Sequence, residues 1–476
     1  MSRVLKLVCG DFTLDLLNTS AEGISLAGGD DNWQPKEAEF VVEGIPPNLV
    51  EELSLLARGT SQNSLAKVLN QWNDMRQLVA RYEARMPGDK PVWLHAKLAN
   101  ETSERRALVR RIDSAITSSG ISDTINANYA RIAAAIERHP YWEGTARTAF
   151  PESTASGLAV EVPYGTVGGN VPARIANFPF YIWYDNNGTP TTTALGKLWA
   201  GVRTYGEPVS LLGEKFSPTI EAEHYSYSPY SSSRAADSNA SGGTKVLLPA
   251  TIIDPGWVPR LYWQWEHLQA NYSFDPHLQA GRFLWLMRAK VASGKWNARF
   301  HYRYSYDYSE GIRGPTVTIS SSAWDYYEMG VQTVPLRDDH AHAETALMED
   351  GAFQVELWAY ATSGTASLEV DGIVMIPIEH GFMKIELAPT TGTAHEIWVS
   401  YSPEDTPEAV VVAPPPYFSV ANRPVLEADN FYLPPGEGRI IVAYKRVVSA
   451  TIGDSLTVGS ALSGYYQRYL SLRGSA

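Results

Sequence analysis

Two histidines and a scattered set of aromatic residues are the side chains here whose types and spacing best suit chemistry. The run Asp338-Asp339-His340-Ala341-His342-Ala343-Glu344 places two imidazoles at alternate positions between carboxylates. On a strand both rings would share a face, as a zinc site needs. An exposed polar loop after a strand ending near Leu336 is the simpler expectation. The aromatics are more numerous. Tyr225, Tyr227 and Tyr230 come close together, followed by Trp263 and Trp265, the alternating Tyr302, Tyr304, Tyr306 and Tyr308, and then Trp324, Tyr326 and Tyr327. Flat rings stack on the apolar C–H faces of sugars, and an alternating series puts its rings on one face of a strand. Carbohydrate binding is expected of Tyr225, Tyr227, Tyr230, Trp324 and Tyr326, and core or interface packing of most others. Signals for catalysis are thin. The sequence has no Gly-x-Ser-x-Gly elbow, no phosphate-cradling glycine loop and no His-Glu-x-x-His. Paired acids occur throughout without a recognisable glycosidase setting. The chain reads as a structural or binding protein, not an enzyme.

The elements that must position these residues lie mostly between Phe216 and Pro377. Short alternating runs recur there, at Phe283–Lys290, Trp296–Tyr304, Thr316–Ile319 and Phe353–Tyr360, with Gly, Ser, Asp and Pro between them. That pattern predicts an antiparallel β-sandwich. The stretch opens with Ile220-Glu221-Ala222-Glu223, passes Ala240-Ser241-Gly242-Gly243 and closes with Val370-Asp371-Gly372-Ile373. In these features it resembles the β-jelly-roll carbohydrate-binding modules of glycoside hydrolases. The resemblance covers about a third of the chain. It implies a structural calcium held by Glu221, Glu223 and Asp371, since carboxylate oxygens suit that hard cation. Such an ion would staple the module and catalyse nothing. Solvated strand-end acids are the plainer alternative, and no cofactor is required.

Composition bounds the rest. The 476 residues exceed one ordinary core, and 44% hydrophobic with 19% charged residues describes a folded chain. A net charge of -13 argues against nonspecific binding to nucleic acid or anionic membrane. Cys9 is the single cysteine, so the chain can build neither an internal disulfide nor a cysteine-based metal site. The opening residues lack the apolar core of a signal peptide, and no run is long enough to span a membrane. Synthesis in a cytoplasm is the expectation, without membrane insertion.

Upstream of the central stretch, strand signals at Val4–Val8 and Phe12–Leu17 precede a strong helix signal. Leu65, Val68, Leu69, Trp72, Met75, Val79, Tyr82 and Met86 recur at three- and four-residue spacing, with a cap available at Ser61–Ser64. The spacing predicts a helix over about 62–86. Residues 101–112 suit a solvated strand or helix face. The alanine-rich run Tyr129–Arg138 suits a helix by composition and a strand by position.

A small β domain with one helix, then Arg138-His139-Pro140-Tyr141-Trp142, then a jelly roll, is similar in layout to the distal tail (baseplate ring) proteins of long-tailed bacteriophages. Gly168-Gly169-Asn170-Val171-Pro172-Ala173 resembles the opening of phage tail sandwich domains, with Asn170 where that pattern has an acid. Leu433-Pro434-Pro435-Gly436 resembles their closing turn. The expected fold is mainly β and multidomain. An N-terminal α+β domain (1–149) is followed by a discontinuous β-sandwich (150–215 plus 379–476), interrupted by the jelly roll (216–378).

The resemblance implies a structural protein of the virion tail, made in the host cytoplasm and assembling as a homo-oligomeric ring such as a hexamer. Its implied partners are tail tube and tail hub proteins and a host cell-surface glycan, with no nucleic acid. Two alternatives stay open: a secreted or surface carbohydrate-binding protein, and another tail tube or decoration protein.

Overall fold

The computed structural model describes residues 3–29, 33–38, 46–84, 90–122, 127–154, 157–183, 195–204, 216–250, 256–272, 280–303, 311–334, 353–386, 396–400, 408–412, 425–429, 431–446, 455–458 and 464–472. The fold is mainly β, in several antiparallel sheets, with one long helix and one short one, Trp265–Tyr272, among the described residues. It divides into two compact units. The first is Met1–Arg147 with Gly168–Pro172 and Tyr466–Ala476, and the second is Thr148–Val167 with Ala173–Tyr465. The last eleven residues therefore belong with the N-terminal part, whereas the sequence reading gave them to the sandwich.

The first unit is built on one long sheet. From one edge its strands run Phe12–Asp15, Val4–Cys9, Trp93–Lys97, Arg105–Ser122, Ala127–Arg138, Leu49–Gly59 and Gly23–Leu26. The helix Gln62–Glu83 lies against it, burying Val68, Trp72, Met75 and Val79 among Leu55, Ile112 and Ile132. Ser61 caps the helix. Its hydroxyl accepts from the Ser64 amide (3.1 Å), while the Ser64 hydroxyl accepts from the Ser61 amide (2.9 Å), so two orphan donors are satisfied reciprocally. The alanine-rich run is a strand. Ala130, Ile132, Ala134 and Ile136 are buried in alternation, and long neighbours pair with it on both sides. Cooperative pairing along two edges outweighs the modest helix preference of its alanines. The sheet is completed by the end of the chain: Arg468–Tyr469 pairs with Trp142–Gly144, and Leu472 is buried in the core.

Among its described residues the second unit holds four sheets. Two of them join Val160–Val167, Arg174–Trp183 and Leu195–Thr204 to strands from Phe382 onward. The chain enters and leaves this unit side by side, Thr148–Ala149 pairing with Gly464 and Tyr465. Among the described residues the strands between Thr219 and Pro377 pair with one another, in a six-stranded and a five-stranded sheet. Between those sheets lies an aromatic core centred on Trp285. Its ring stands 5.4 Å from Tyr302 and 6.3 Å from both Trp265 and Phe300. The same core takes in Leu158, Trp199, Ile441 and Ala443 from outside that interval. Gly201 shows how close the approach is: a Cβ there would lie 1.9 Å from the Pro377 carbonyl oxygen.

Candidate functional site

The three acids singled out from the sequence converge on one turn. Thr219–Glu221 pairs with Leu368–Pro377 so that Glu221 lies opposite Gly372, one residue from Asp371. A single helical turn at Ala222–His224 then keeps Glu223 close by. Thr244–Leu248 pairs with the same central strand further along, Val246 opposite Val370, which brings in the preceding Ser241-Gly242-Gly243 turn. Asp371 is aimed by a bulge. Arg288 pairs with Gly372 and Ala289 with Val370, so Asp371 is the extra residue and its side chain turns fully inward.

Hydrogen bonds fix the geometry. The Ser241 hydroxyl donates to Glu221 Oε1 (2.6 Å) and the Ser241 amide to Asp371 Oδ1 (2.8 Å). Arg288 Nη1 donates to Asp371 Oδ2, and Nη2 to the Asn239 carbonyl (3.1 Å). Gly242 has φ +62°, and a Cβ there would stand 3.4 Å from Glu223 Oε1 and 3.9 Å from Glu221 Cδ. The glycine thus provides both the left-handed turn and room beside the two glutamates. Glu221 Oε2 and Glu223 Oε2 are buried without a hydrogen-bond partner.

Electrostatics follow from this packing. Burial pushes the Glu221 carboxyl up to about 7. The Ser241 hydroxyl opposes that shift, and the neighbouring Asp371 and Glu223 add to it. Burial raises Glu223 as well. Asp371 is pushed up to about 6 by burial, with Arg288 and the Ser241 amide holding it below neutrality. Asp371 is thus favoured as the ionised acid beside its arginine, while Glu221 keeps its proton to higher pH because burial outweighs the Ser241 hydroxyl and the weaker pull of Arg288.

Calcium can be tested against this donor set. The two orphaned Oε2 atoms are hard oxygens of the kind that ion takes, on carboxylates that a side chain at position 242 would crowd. Asp371 already has both oxygens engaged, and among the described residues no three acid, histidine or cysteine side chains surround one point. Of the three acids, Glu221 and Glu223 thus keep an oxygen that could turn to a cation, and Asp371 orients the turn through the Ser241 amide.

The aromatics do not gather into one platform. Tyr225 is half-buried, its hydroxyl bonded to Ser232 (3.1 Å). Tyr227 is 59% exposed, on a backbone bridge to Tyr262, and Tyr230 is 37% exposed. Trp324 lies apart from these, covered by Lys290 at 4.3 Å and Arg288 at 5.2 Å. Tyr326 corrects the sequence reading. It is buried, donates its hydroxyl to the Leu158 carbonyl and packs on Trp199, so it offers no face to a sugar. Trp263, Trp265 and Tyr302 are core residues. Tyr304, Tyr306 and Tyr308 lie outside the described residues, as do His340 and His342. Sequence reasoning missed Arg288, which lies far from the acids along the chain and reaches them only through the bulge.

No family model matches the sequence, and no curated protein matches it. Among solved structures, the chain is similar to the SPP1 Dit (gp 19.1) protein, described as a paradigm of the hub adsorption apparatus in phages infecting Gram-positive hosts. The match covers 78% of this chain and 99% of that one, at 9% identity and a TM-score of 0.19. That is a weak likeness to a phage tail protein, too low in score to carry an argument, and the functional reading stands on the chain's own residues. Among the described residues no helix is long and apolar enough to cross a membrane.

Proposed function

We propose that the chain is a non-catalytic structural protein of a bacteriophage tail, of the distal tail or baseplate-ring class. Its first unit would form an oligomeric ring and meet the tail tube and hub. The jelly-roll interval 216–378, inserted into a sandwich, would be displayed for contact with host-surface glycans. Calcium held by Glu221 and Glu223 would fix the turn at Ser241–Gly243 without entering any reaction.

One observation carries this reading. Two short segments that resemble phage tail sandwiches, far apart in sequence, are bonded to each other. Ala173, the last residue of the first, and Leu433, the first of the closing turn, exchange backbone hydrogen bonds of 2.8 and 3.1 Å. Chance matches have no reason to meet in space. The third motif also sits at a structural pivot. Arg138 is wholly buried, paired with Glu51 and bonded to the carbonyls of Lys36, His139 and Pro140, with its guanidinium 4.2 Å from the Trp142 ring.

Mass-resolved chromatography with negative-stain imaging of the purified chain tests the proposal. Rings bearing projecting lobes are expected. A chain that stays monomeric at high concentration, alone and mixed with tail tube and hub proteins, would overturn it.

A further inference from the structure

The sheet built on Lys295–Arg303 and Gln354–Ser363 has a second face that the acids at the Ser241 turn do not explain. Alternation sends Trp296, Ala298, Phe300 and Tyr302 into the core and Asn297, Arg299, His301 and Arg303 the other way. Register sets Arg299 opposite Trp358, His301 opposite Glu356, Asn297 opposite Tyr360 and, on the next strand, His301 opposite Arg313. Directly opposed residues share a face. Glu356 is fully buried there and fully engaged. It pairs with Arg303 (2.6 Å) and accepts from Gln354 (2.6 Å) and from the Trp358 indole (2.7 Å).

Arg299 has no such partner. Its guanidinium lies 4.1 Å from the Trp257 ring and 6.0 Å from that of Trp358. Trp257 in turn meets Tyr360 edge-on at 4.9 Å. The Arg299 Nε is buried without an acceptor, and burial together with the like charge of exposed Arg313 disfavours its charged form. Among the described residues neither arginine makes an ion pair. In a chain of net charge -13, two neighbouring guanidiniums with no acidic partner among the described residues, one of them beside the Trp257 and Trp358 rings, suit an anion.

We propose that this face binds an acidic saccharide, its carboxylate taken by Arg299 and Arg313 and its ring lying against Trp257 and Trp358. Arginine matches a carboxylate with two parallel hydrogen bonds, and a tryptophan face matches the C–H side of a sugar. Single-stranded nucleic acid also uses arginine with aromatic rings, but its binding draws on many phosphate contacts, and beyond Arg303, which Glu356 neutralises, this face offers two arginines. Tyr227, bridged to Tyr262 in the register row of Glu356, extends the face toward one sheet edge. The inference rests on the glycan-contacting part of the proposed function and names the class of glycan.

Calorimetric titration of the full chain with an oligogalacturonate tests it, with a neutral galactan and an oligo-dT strand as comparisons. The uronate should bind, and more weakly as salt rises. Arg313→Ala, at an exposed position, and Arg299→Gln should each weaken binding roughly tenfold or more, as loss of a charge-assisted hydrogen bond does. Trp257→Ala should weaken it too. Melting curves of each variant establish that it is folded. Absence of uronate binding, binding unchanged in folded Arg313→Ala, or oligo-dT bound as tightly as the uronate would overturn the inference. Negative-stain imaging of the same preparation separates the two readings: rings that ignore uronate sink this inference alone, and uronate binding without rings sinks the tail-ring reading alone.

Discussion

Glu221 is a carboxylic acid held where its charged form is poorly served. Its ordinary value is 4.5 and burial lifts it to about 7, so between those pH values the folded chain keeps a proton that the unfolded chain has released. The stabilising contribution is full below pH 4.5 and is lost as pH rises through 7. In chelator the second unit should therefore melt lower at pH 8 than at pH 5. The effect should be on the order of 1–2 kcal/mol after discounting for the carboxyl's partial solvent access. Glu221→Gln should flatten that slope, and calcium should raise the melting point of the native chain at pH 8 but not that of the variant. A slope unchanged by the substitution would show that another group titrates. At this scale the sequence was half-legible. Glu221, Glu223 and Asp371 flank short, recognisable motifs, so their convergence could be anticipated. Arg288 and Arg299 owe their roles to a bulge and to cross-strand register, neither of which has a local signal. Tyr326 was misread for the same reason: nothing in its neighbourhood of sequence reveals that Leu158 and Trp199 bury it.

Elements differ in how much of their cause is local. The helix Gln62–Glu83 carries its own signals, an apolar stripe at Val68, Trp72, Met75 and Val79 and a cap at Ser61. It was legible to within a few residues, because periodicity and capping chemistry act over a single turn. Ser61→Ala should cost about 1 kcal/mol in urea unfolding of the first unit, with most of the loss in the first turn of the helix. Amide exchange can read this directly. A fall in protection spread evenly over the helix would mean that the cap does not act locally. The strand Ala127–Arg138 shows the opposite case. Its alanines favour a helix when taken alone, and its state is set by Leu49–Gly59 and Arg105–Ser122, which pair with it along nearly its whole length. The short helix Trp265–Tyr272 was not anticipated. Trp265 and Leu268, buried one turn apart, give too brief a stripe to tell from a strand end.

For the molecule as a whole, the expectation of a mainly β, multidomain chain holds, with sheets of antiparallel strands and one long helix. The division at the end of the chain was invisible in the sequence, because Arg468–Leu472 is too short to declare a partner. Its contacts are specific all the same. Arg468 pairs with buried Glu143 at 3.2 Å, Arg105 donates to the Ser471 carbonyl, and the Ser471 hydroxyl donates to Glu37 at 2.6 Å. Removing residues 466–476 should leave Glu143 a buried acid without Arg468 and open the core at Leu472. That should destabilise the first unit by about 2–5 kcal/mol, mainly through the cavity at Leu472, since Arg106 stays 3.8 Å from Glu143. Limited proteolysis should then cut within residues 1–147 well before it cuts the second unit. Equal resistance of the two units would refute that assignment.

The same seal bears on how the chain comes off the ribosome. Synthesis is vectorial, and a segment generally folds as soon as it has emerged. Here the sheet that ends at Trp142–Gly144 must wait, since the strand Arg468–Tyr469 that pairs with it is made long after it. A polypeptide broken off between Gly144 and Leu472 carries an unsealed first unit. The fold thereby makes the first unit depend on synthesis of everything up to Leu472, and sets products interrupted before that point apart from those that pass it.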